Sequence, residues 1–319
     1  MLHSLNRFRT SLLWPFVALL LAVEGQTQVS RFLFAQEPPA LAGQSADVKI
    51  LPDATEGQPT PVSVPRSKLQ VQKDLVFHEV ADEEVAADFY RPAGDRVLPL
   101  VVMIHGGGWI SGDKWNVIDH AKELARNGMA VLAINYRLAP DHRYPAQLED
   151  CRKALAWAAQ RADEWSVDCQ RVGLWGYSAG GQLASMLATD APETHPVKIR
   201  CLVAGGAPND LTYIPEQSKV LAMVFGGSRK ELPEVYQNAS PIFRLNAQCP
   251  PAMLFHGTKD LLVPYDTSVR FQERAKEVGV ECQLIPIEGQ GHLVTFLHPK
   301  GRSSAIEFLS KYLKAEPLP

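Results

Sequence analysis

The segment Gly176-Tyr177-Ser178-Ala179-Gly180 closes one apolar run and opens another, rich in Ala and Leu, that continues to Leu187. Where a strand gives way to a helix, glycines let the two approach closely. The serine then stands at a sharp turn with its hydroxyl exposed, the placement a nucleophile needs. The pattern is short, and a glycine-rich loop with an ordinary capping serine has the same letters. A hydroxyl attacks poorly until a base takes its proton, so the chemistry also requires a histidine and an acid to orient it. Both occur downstream: Asp260 in Phe255–Pro264 (FHGTKDLLVP) and His292 in Glu288–Phe296 (EGQGHLVTF). Each follows an apolar run, and open α/β sheets gather their functional groups at the C-terminal ends of parallel strands.

Rival assignments exist for each. Asp260 also reads as a turn or helix-capping aspartate, and Asp210 in GGAPNDLT follows a strand and is the alternative acid. Asp266 reads as an exposed residue at a helix start. Of nine histidines, His292 alone combines the order and the loop. His3 lies in the N-terminal segment, and His78, His120, His142, His195 and His298 read as surface or turn positions. His256, just ahead of Gly257, reads as packed beneath the site. A second glycine cluster, His105-Gly106-Gly107-Gly108-Trp109, follows the apolar run Leu98–Ile104. Acyl transfer builds negative charge on a carbonyl oxygen, and fixed backbone N–H groups stabilise it. Gly107, Gly108 and Ala179 are the expected donors, with His105 orienting the loop rather than moving protons. A phosphate-binding loop fits less well, because no Gly-Lys-Ser/Thr follows.

Positioning these groups requires a sheet. Leu69–Val80 and Glu83–Tyr90 read as paired strands. From there strands and helices alternate. The strands are Leu98–Ile104, Met129–Tyr136, Arg171–Tyr177, Ile199–Gly206, Pro251–Gly257 and Cys282–Ile287. The helices are Ile118–Asn127, Pro145–Trp165, Ala179–Thr189, Thr267–Val278 and Ser303–Leu313. Such alternation demands a mostly parallel central sheet with helices on both faces. Pro286 removes a ladder donor, so its strand belongs at an edge.

Leu98 to Leu313 resembles the α/β-hydrolase esterases, specifically the BD-FAE-like (bacterial acetylxylan/feruloyl esterase) and hormone-sensitive-lipase-like groups. The motifs HGGGWISGDK, NYRLAPDHRYPAQLED, GYSAGG, HGTKDLLVP and GHLVTF occur in matching order and spacing. The resemblance implies the α/β-hydrolase fold, with Ser178 as nucleophile, His292 as base, Asp260 as its partner, and oxyanion donors at Gly107, Gly108 and Ala179. Two departures favour the BD-FAE side. Tyr177 stands where many hormone-sensitive-lipase relatives have aspartate, and the chain before the first strand reads as a linker rather than a helical cap. Leu211 to Gln248 is then the expected lid and acyl-pocket wall. Tyr213, Phe225, Tyr236 and Phe243 either shape that pocket or simply pack.

The 319 residues are 46% hydrophobic and 21% charged, the composition of a globular protein, and the net charge of −3 lacks the basic footprint of a nucleic-acid binder. Arg7 and Arg9 precede an uncharged apolar run, Ser11–Val23, suited to the core of a signal peptide and short for a membrane span. An uncleaved anchor is the rival reading. Residues 1–35 are expected to be an export segment cleaved after Gly25 or Ala35, 36–66 a Pro-rich linker, and 67–316 the catalytic domain. Five cysteines show no regular spacing, so at least one thiol is free.

The expectation is a secreted or periplasmic serine esterase acting on a small-molecule or carbohydrate ester. By family resemblance its acyl groups are short, acetyl on polysaccharide among them. No cofactor, nucleic acid or membrane contact beyond the export signal is expected, and no metal either, since no His/Cys/Glu cluster has metal-ligand spacing. A peptidase, amidase or arylformamidase-like enzyme on the same scaffold is the first alternative. A non-catalytic binding protein is the second, although such proteins usually lose the serine or histidine.

Overall fold

Leu98–Ile104, LPLVVMI, is buried at every position, which requires cover on both faces of the strand. In the computed structural model, which describes residues 68–81 and 83–314, it is the third of eight strands in one sheet. The strands are β1 (Leu69–Val80), β2 (Glu83–Pro92), β3 (Leu98–Ile104), β4 (Ala130–Ile134), β5 (Val167–Tyr177), β6 (Ile199–Gly205), β7 (Ala252–Gly257) and β8 (Cys282–Ile287). Their spatial order is β1-β2-β4-β3-β5-β6-β7-β8. β1 pairs antiparallel with β2, and β2 with β4; every other pairing is parallel. Pro286 lies in β8 at the sheet edge, where its missing N–H costs no ladder bond.

Nine helices among the described residues complete the layers: α1 (Ile118–Arg126), α2 (Ala146–Gln160), α3 (Ala162–Trp165), α4 (Ala179–Ala188), α5 (Lys219–Phe225), α6 (Pro233–Asn238), α7 (Asp266–Glu277), α8 (His292–Leu297) and α9 (Pro299–Leu313). On one face of the sheet Val101, Met103, Val131, Ala133, Trp175 and Val203 pack with Ala121 and Leu124 of α1 and Phe308 and Leu309 of α9. Alternate strand residues face the other side, where α4 lies on β3, β5 and β6 with α2 against it.

Several boundaries differ from expectation. The helix expected over Pro145–Trp165 breaks at Arg161, because Trp165 must turn into the core, where it stacks on Phe89 at 4.3 Å. β5 begins at Val167 rather than Arg171, its first residues pairing with Leu98 and Pro99 ahead of an irregularity in register. α8 is an additional helix, and α9 starts at Pro299, earlier than Ser303. His120 and His195 are buried rather than superficial; His120 lies against the rings of Trp175 and Phe296. All five cysteines are free thiols. Ser67–Pro319 is one compact unit. The expected export segment and linker lie outside the described residues.

Candidate active site

Ser178 stands between the last residue of β5 and the first of α4 with φ 55° and ψ −124°. That backbone is strained for a residue with a side chain, and such strain persists only where neighbours enforce it. Here they do. Ser178 N–H donates to Gly205 O at 2.8 Å, and a Cβ at Gly176 would sit 2.1 Å from Gly180 O. The glycine therefore permits the closeness of strand and helix that forces the bend.

His292 opens α8, after β8 at the sheet edge, and Asp260 lies in the turn after β7. His292 Nε2 is 2.9 Å from Ser178 Oγ, and its Nδ1 is 2.6 Å from Asp260 Oδ2. A carboxylate accepts, so Nδ1 carries the ring proton and Nε2 is free to take one from the serine. Asp260 Oδ1 accepts from the N–H groups of Leu262 and Val263, both at 2.9 Å. Burial pushes the Asp260 carboxyl up, but hydrogen bonds from His256 and His292 outweigh it and hold the group well below the usual carboxylate range. The carboxylate is thus anionic wherever His292 can act. Tyr177 Oη donates to the His292 carbonyl, so the residue beside the nucleophile anchors the backbone of the histidine. Its role was invisible in sequence, where Tyr177 registered only as a departure from an aspartate.

The glycine loop lies against this elbow: a Cβ at Gly106 would be 2.9 Å from Tyr177 O and 3.2 Å from Ser178 Cβ. Gly107 has φ 132°, and a Cβ there would fall 1.8 Å from Ser111 O. No other residue type fits. Gly107 O accepts from the N–H groups of Ile110 and Ser111 at 3.2 and 3.1 Å, which closes the turn. Among the described residues the N–H groups of Gly107 and Gly108 have no acceptor. Ala179, first in α4, has no intrahelical acceptor for its own N–H. His105 is fully buried, stacks on Tyr136 at 4.3 Å and places Nδ1 2.7 Å from Gly106 O. Burial lowers its pKa to about 4, so it is neutral and orients the loop.

The segment after β4 supplies further residues that motif reading had left without roles. Tyr136 Oη donates to His105 O at 3.1 Å. Asn135 Nδ2 donates to Asp113 Oδ2 at 2.9 Å, and Asn135 Oδ1 accepts from the Lys114 N–H at 2.6 Å. Both ends of the loop are thereby tied to one dipeptide. Arg137 then clamps Asp150 of α2 with its Nε and Nη2.

Asp210, the rival acid, is fully buried and paired with Arg270 of α7 at 2.9 Å. Its other oxygen accepts from the Thr212 N–H and hydroxyl, so it pins the start of segment 211–248 and is occupied away from His292. Within that segment Phe225 and Tyr236 are buried in an aromatic cluster with Trp109 and Tyr144. Tyr213 and Phe243 are exposed. Tyr213 Oη donates to the exposed Asp266 at 3.0 Å. Val220 of α5 borders the glycine loop, 3.5 Å from where a Gly108 Cβ would be. Among the described residues no group of three or more His, Cys, Asp or Glu side chains is arranged to hold a metal ion.

A hydroxyl that can pass its proton to a braced imidazole, beside unengaged backbone donors, is equipped to attack a carbonyl and hold the resulting charge. Known proteins similar to this chain include esterases. The BD-FAE family model matches residues 87–275. Esterase LipC of Mycobacterium tuberculosis is 28% identical over 215 residues, covering 62% of this chain and 53% of LipC. The chain spans about half the length of the first curated relatives it matches. A butyrate-bound esterase 2 from the Planctomycetes species Thermogutta terrifontis superimposes with a TM-score of 0.63 at 26% identity, over 77% of this chain and 94% of that one. A truncated carbohydrate esterase from gut microbiota gives a TM-score of 0.70 over 78% and 98% of the two chains; at 17% identity it shows the α/β-hydrolase fold alone.

Proposed function

The chain belongs to the BD-FAE family, and from that premise we propose that it is a serine esterase cleaving carboxylic esters through an acyl-enzyme. The observation that carries this reading is the hydrogen-bond line from Ser178 Oγ through His292 to Asp260, set on a strained elbow. The family match covers Ser178 and Asp260 but ends at residue 275, so the part of His292 in this geometry is support that the match does not itself supply.

In this mechanism Ser178 Oγ bonds to the ester carbonyl carbon while its proton passes to His292 Nε2. Asp260 keeps the imidazole in the Nδ1–H tautomer and stabilises the cation that forms. The carbonyl oxygen, now negative, meets the N–H groups of Gly107, Gly108 and Ala179. His292 returns the proton to the departing alcohol. Water, deprotonated by the same nitrogen, then releases the acid and restores the serine.

Substrates carry short acyl groups, acetyl on polysaccharide among them. Support comes from Val220, in van der Waals reach of the glycine loop, and from Phe225, packed on Trp109 of that loop, and from the butyrate bound to the Thermogutta esterase. The basic, then apolar, N-terminal segment supports export to the periplasm or medium, with cleavage after Gly25 or Ala35. N-terminal sequencing of protein recovered outside the cytoplasm checks this, and an intact Met1 in a membrane fraction would count for an anchor.

The decisive assay sets purified protein against p-nitrophenyl esters of increasing chain length, acetylated xylan and aminoacyl amides. Esters should turn over fastest, and Ser178→Ala should lower kcat roughly 10⁴- to 10⁶-fold with the fold intact. Faster cleavage of amides would point to a peptidase. A folded Ser178→Ala protein keeping several per cent of wild-type activity would end the assignment of the nucleophile.

A further inference from the structure

We propose that His256 is a positioning residue of this site, locking the turn that carries Asp260 so that its carboxylate stays aimed at His292. The inference rests on the serine-esterase reading and assigns a role to a buried histidine that the mechanism above leaves idle. His256 lies near the end of β7 with no solvent exposure. Its Nε2 is 3.0 Å from Val263 O and 3.2 Å from Asp260 Oδ2. Both are acceptors, so Nε2 carries the proton, and Nδ1 accepts a hydrogen bond from the Ser268 hydroxyl at 2.7 Å. The ring is also met edge-on by Tyr265 at 5.7 Å.

The turn is therefore held twice over. Asp260 Oδ1 gathers the N–H groups of Leu262 and Val263, while His256 holds the Val263 carbonyl from beneath. Lys259 and Leu261, on either side of Asp260, are exposed, Leu261 to 88%. The acid thus sits in a surface turn whose outer side offers no packing to fix it. The restraint must come from inside. Asp260 Oδ2 lies within reach of both His256 and His292, and a carboxylate that is held from two sides cannot rotate away from its catalytic partner. A buried imidazole is costly unless its polar atoms are used; both of these are.

The test is a double-mutant cycle on a fluorogenic ester, with melting temperatures used to correct each rate for folded fraction. His256→Phe keeps the ring and removes the donor; a lost hydrogen bond to a charged group predicts a fall in kcat on the order of 10- to 100-fold, with KM moving less than about twofold. His256→Gln returns an N–H near the position of Nε2 and should recover most of that loss. In an Asp260→Asn background, His256→Phe should cost less than about twofold, because its effect runs through the carboxylate. If His256→Phe fails to fold, Ser268→Ala carries the test, releasing the ring tautomer with an expected kcat loss of roughly three- to tenfold. Wild-type kcat in His256→Phe, or in Ser268→Ala where that variant stands in, overturns the proposal. So does an equal cost of His256→Phe in both backgrounds, or a Gln variant as poor as Phe. Ser178→Ala assayed alongside separates the two ideas: undiminished hydrolysis there removes the esterase reading itself, whatever His256 does.

Discussion

The loop His105–Asp113 and the segment Leu211–Gln248 both follow strands of the same sheet and both border the site, yet they are held by different forces. The loop is fixed by backbone geometry and directional bonds: Gly107 in a conformation only glycine tolerates, Tyr136 on the His105 carbonyl, Asn135 on Asp113. The segment is fixed mainly by side chains, through the Phe225–Tyr236 aromatic cluster and the ion pairs Asp210–Arg270 and Arg244–Asp190, with backbone bonds from Tyr144 to Val224 and from Ile242 to Asn209 beside them. Donors that must meet an oxyanion tolerate little displacement, which hydrogen-bonded backbone provides. A pocket wall need only have the right volume, and packed side chains can change volume by substitution without disturbing the chemistry. Under the proposed function, the difference separates a rigidly held reaction centre from a pocket wall that substitution can reshape.

The sharpest way to break this comparison sets the acid of the site against the pin of the segment. Asp260→Asn should lower kcat by roughly 10⁴-fold, through loss of the correct imidazole tautomer. Asp210→Asn should stay within about tenfold while lowering the melting temperature, since it loosens a buried pair with Arg270. Kinetics and thermal melts on both variants decide it, and the reverse ranking would move the acid to Asp210.

Next in size, Gly107→Ala should lower kcat on the order of 10²- to 10³-fold with little change in KM, because the turn must open to admit a Cβ and withdraws an oxyanion donor. A folded Gly107→Ala protein with wild-type kcat would show that the loop stabilises no transition state.

A third expectation concerns acid stability. Burial lowers the pKa of His105, in the loop, and of His120, on α1, from 6.5 to about 4. The unfolded chain therefore takes up protons first as pH falls. Each histidine contributes stability that is fully present above pH 6.5 and lost as the pH approaches 4, about 3 kcal/mol apiece at most. Urea unfolding at pH 7 and pH 5 should show the decline. His120→Phe, remote from the loop, should reduce its slope and leave kcat at pH 7 near wild type. A slope unchanged by that variant would contradict the assignment.

The smallest effect sharpens the comparison from the other side. Val220→Ala, in the segment, should shift the preference between acetyl and butyryl esters toward the longer chain by about tenfold, the scale of one or two methylenes in an apolar pocket. The kcat for acetyl esters should change less than about threefold. An unchanged chain-length profile would remove Val220 from the acyl pocket.

Local steric rules made much of this legible in the chain. A run such as Leu98–Ile104 announces a strand covered on both faces, and Gly176 and Gly107 mark places where a Cβ cannot be admitted. Ser178, Asp260 and His292 were named from their order and from the strands they follow, and the structure joins them by hydrogen bonds. Tertiary structure alone decided the rest. Asp210 and Asp260 both follow strands, and what separates them is that one meets Arg270 and the other His292. The break at Arg161 depends on Phe89, and the burial of His120 on Trp175 and Phe296. Likewise Tyr177 on His292 and Tyr136 on His105 are matters of partner, not of residue type; His256 reads from the sequence as lying beneath the site, and the structure adds its contacts with Asp260 and Val263. Backbone conformation and alternation are properties of a residue and its immediate neighbours, so they are written along the chain. A partner is chosen by which strands lie side by side, and the parallel order β5-β6-β7-β8 brings the turns after residues 177, 257 and 287 to the same C-terminal end of the strands.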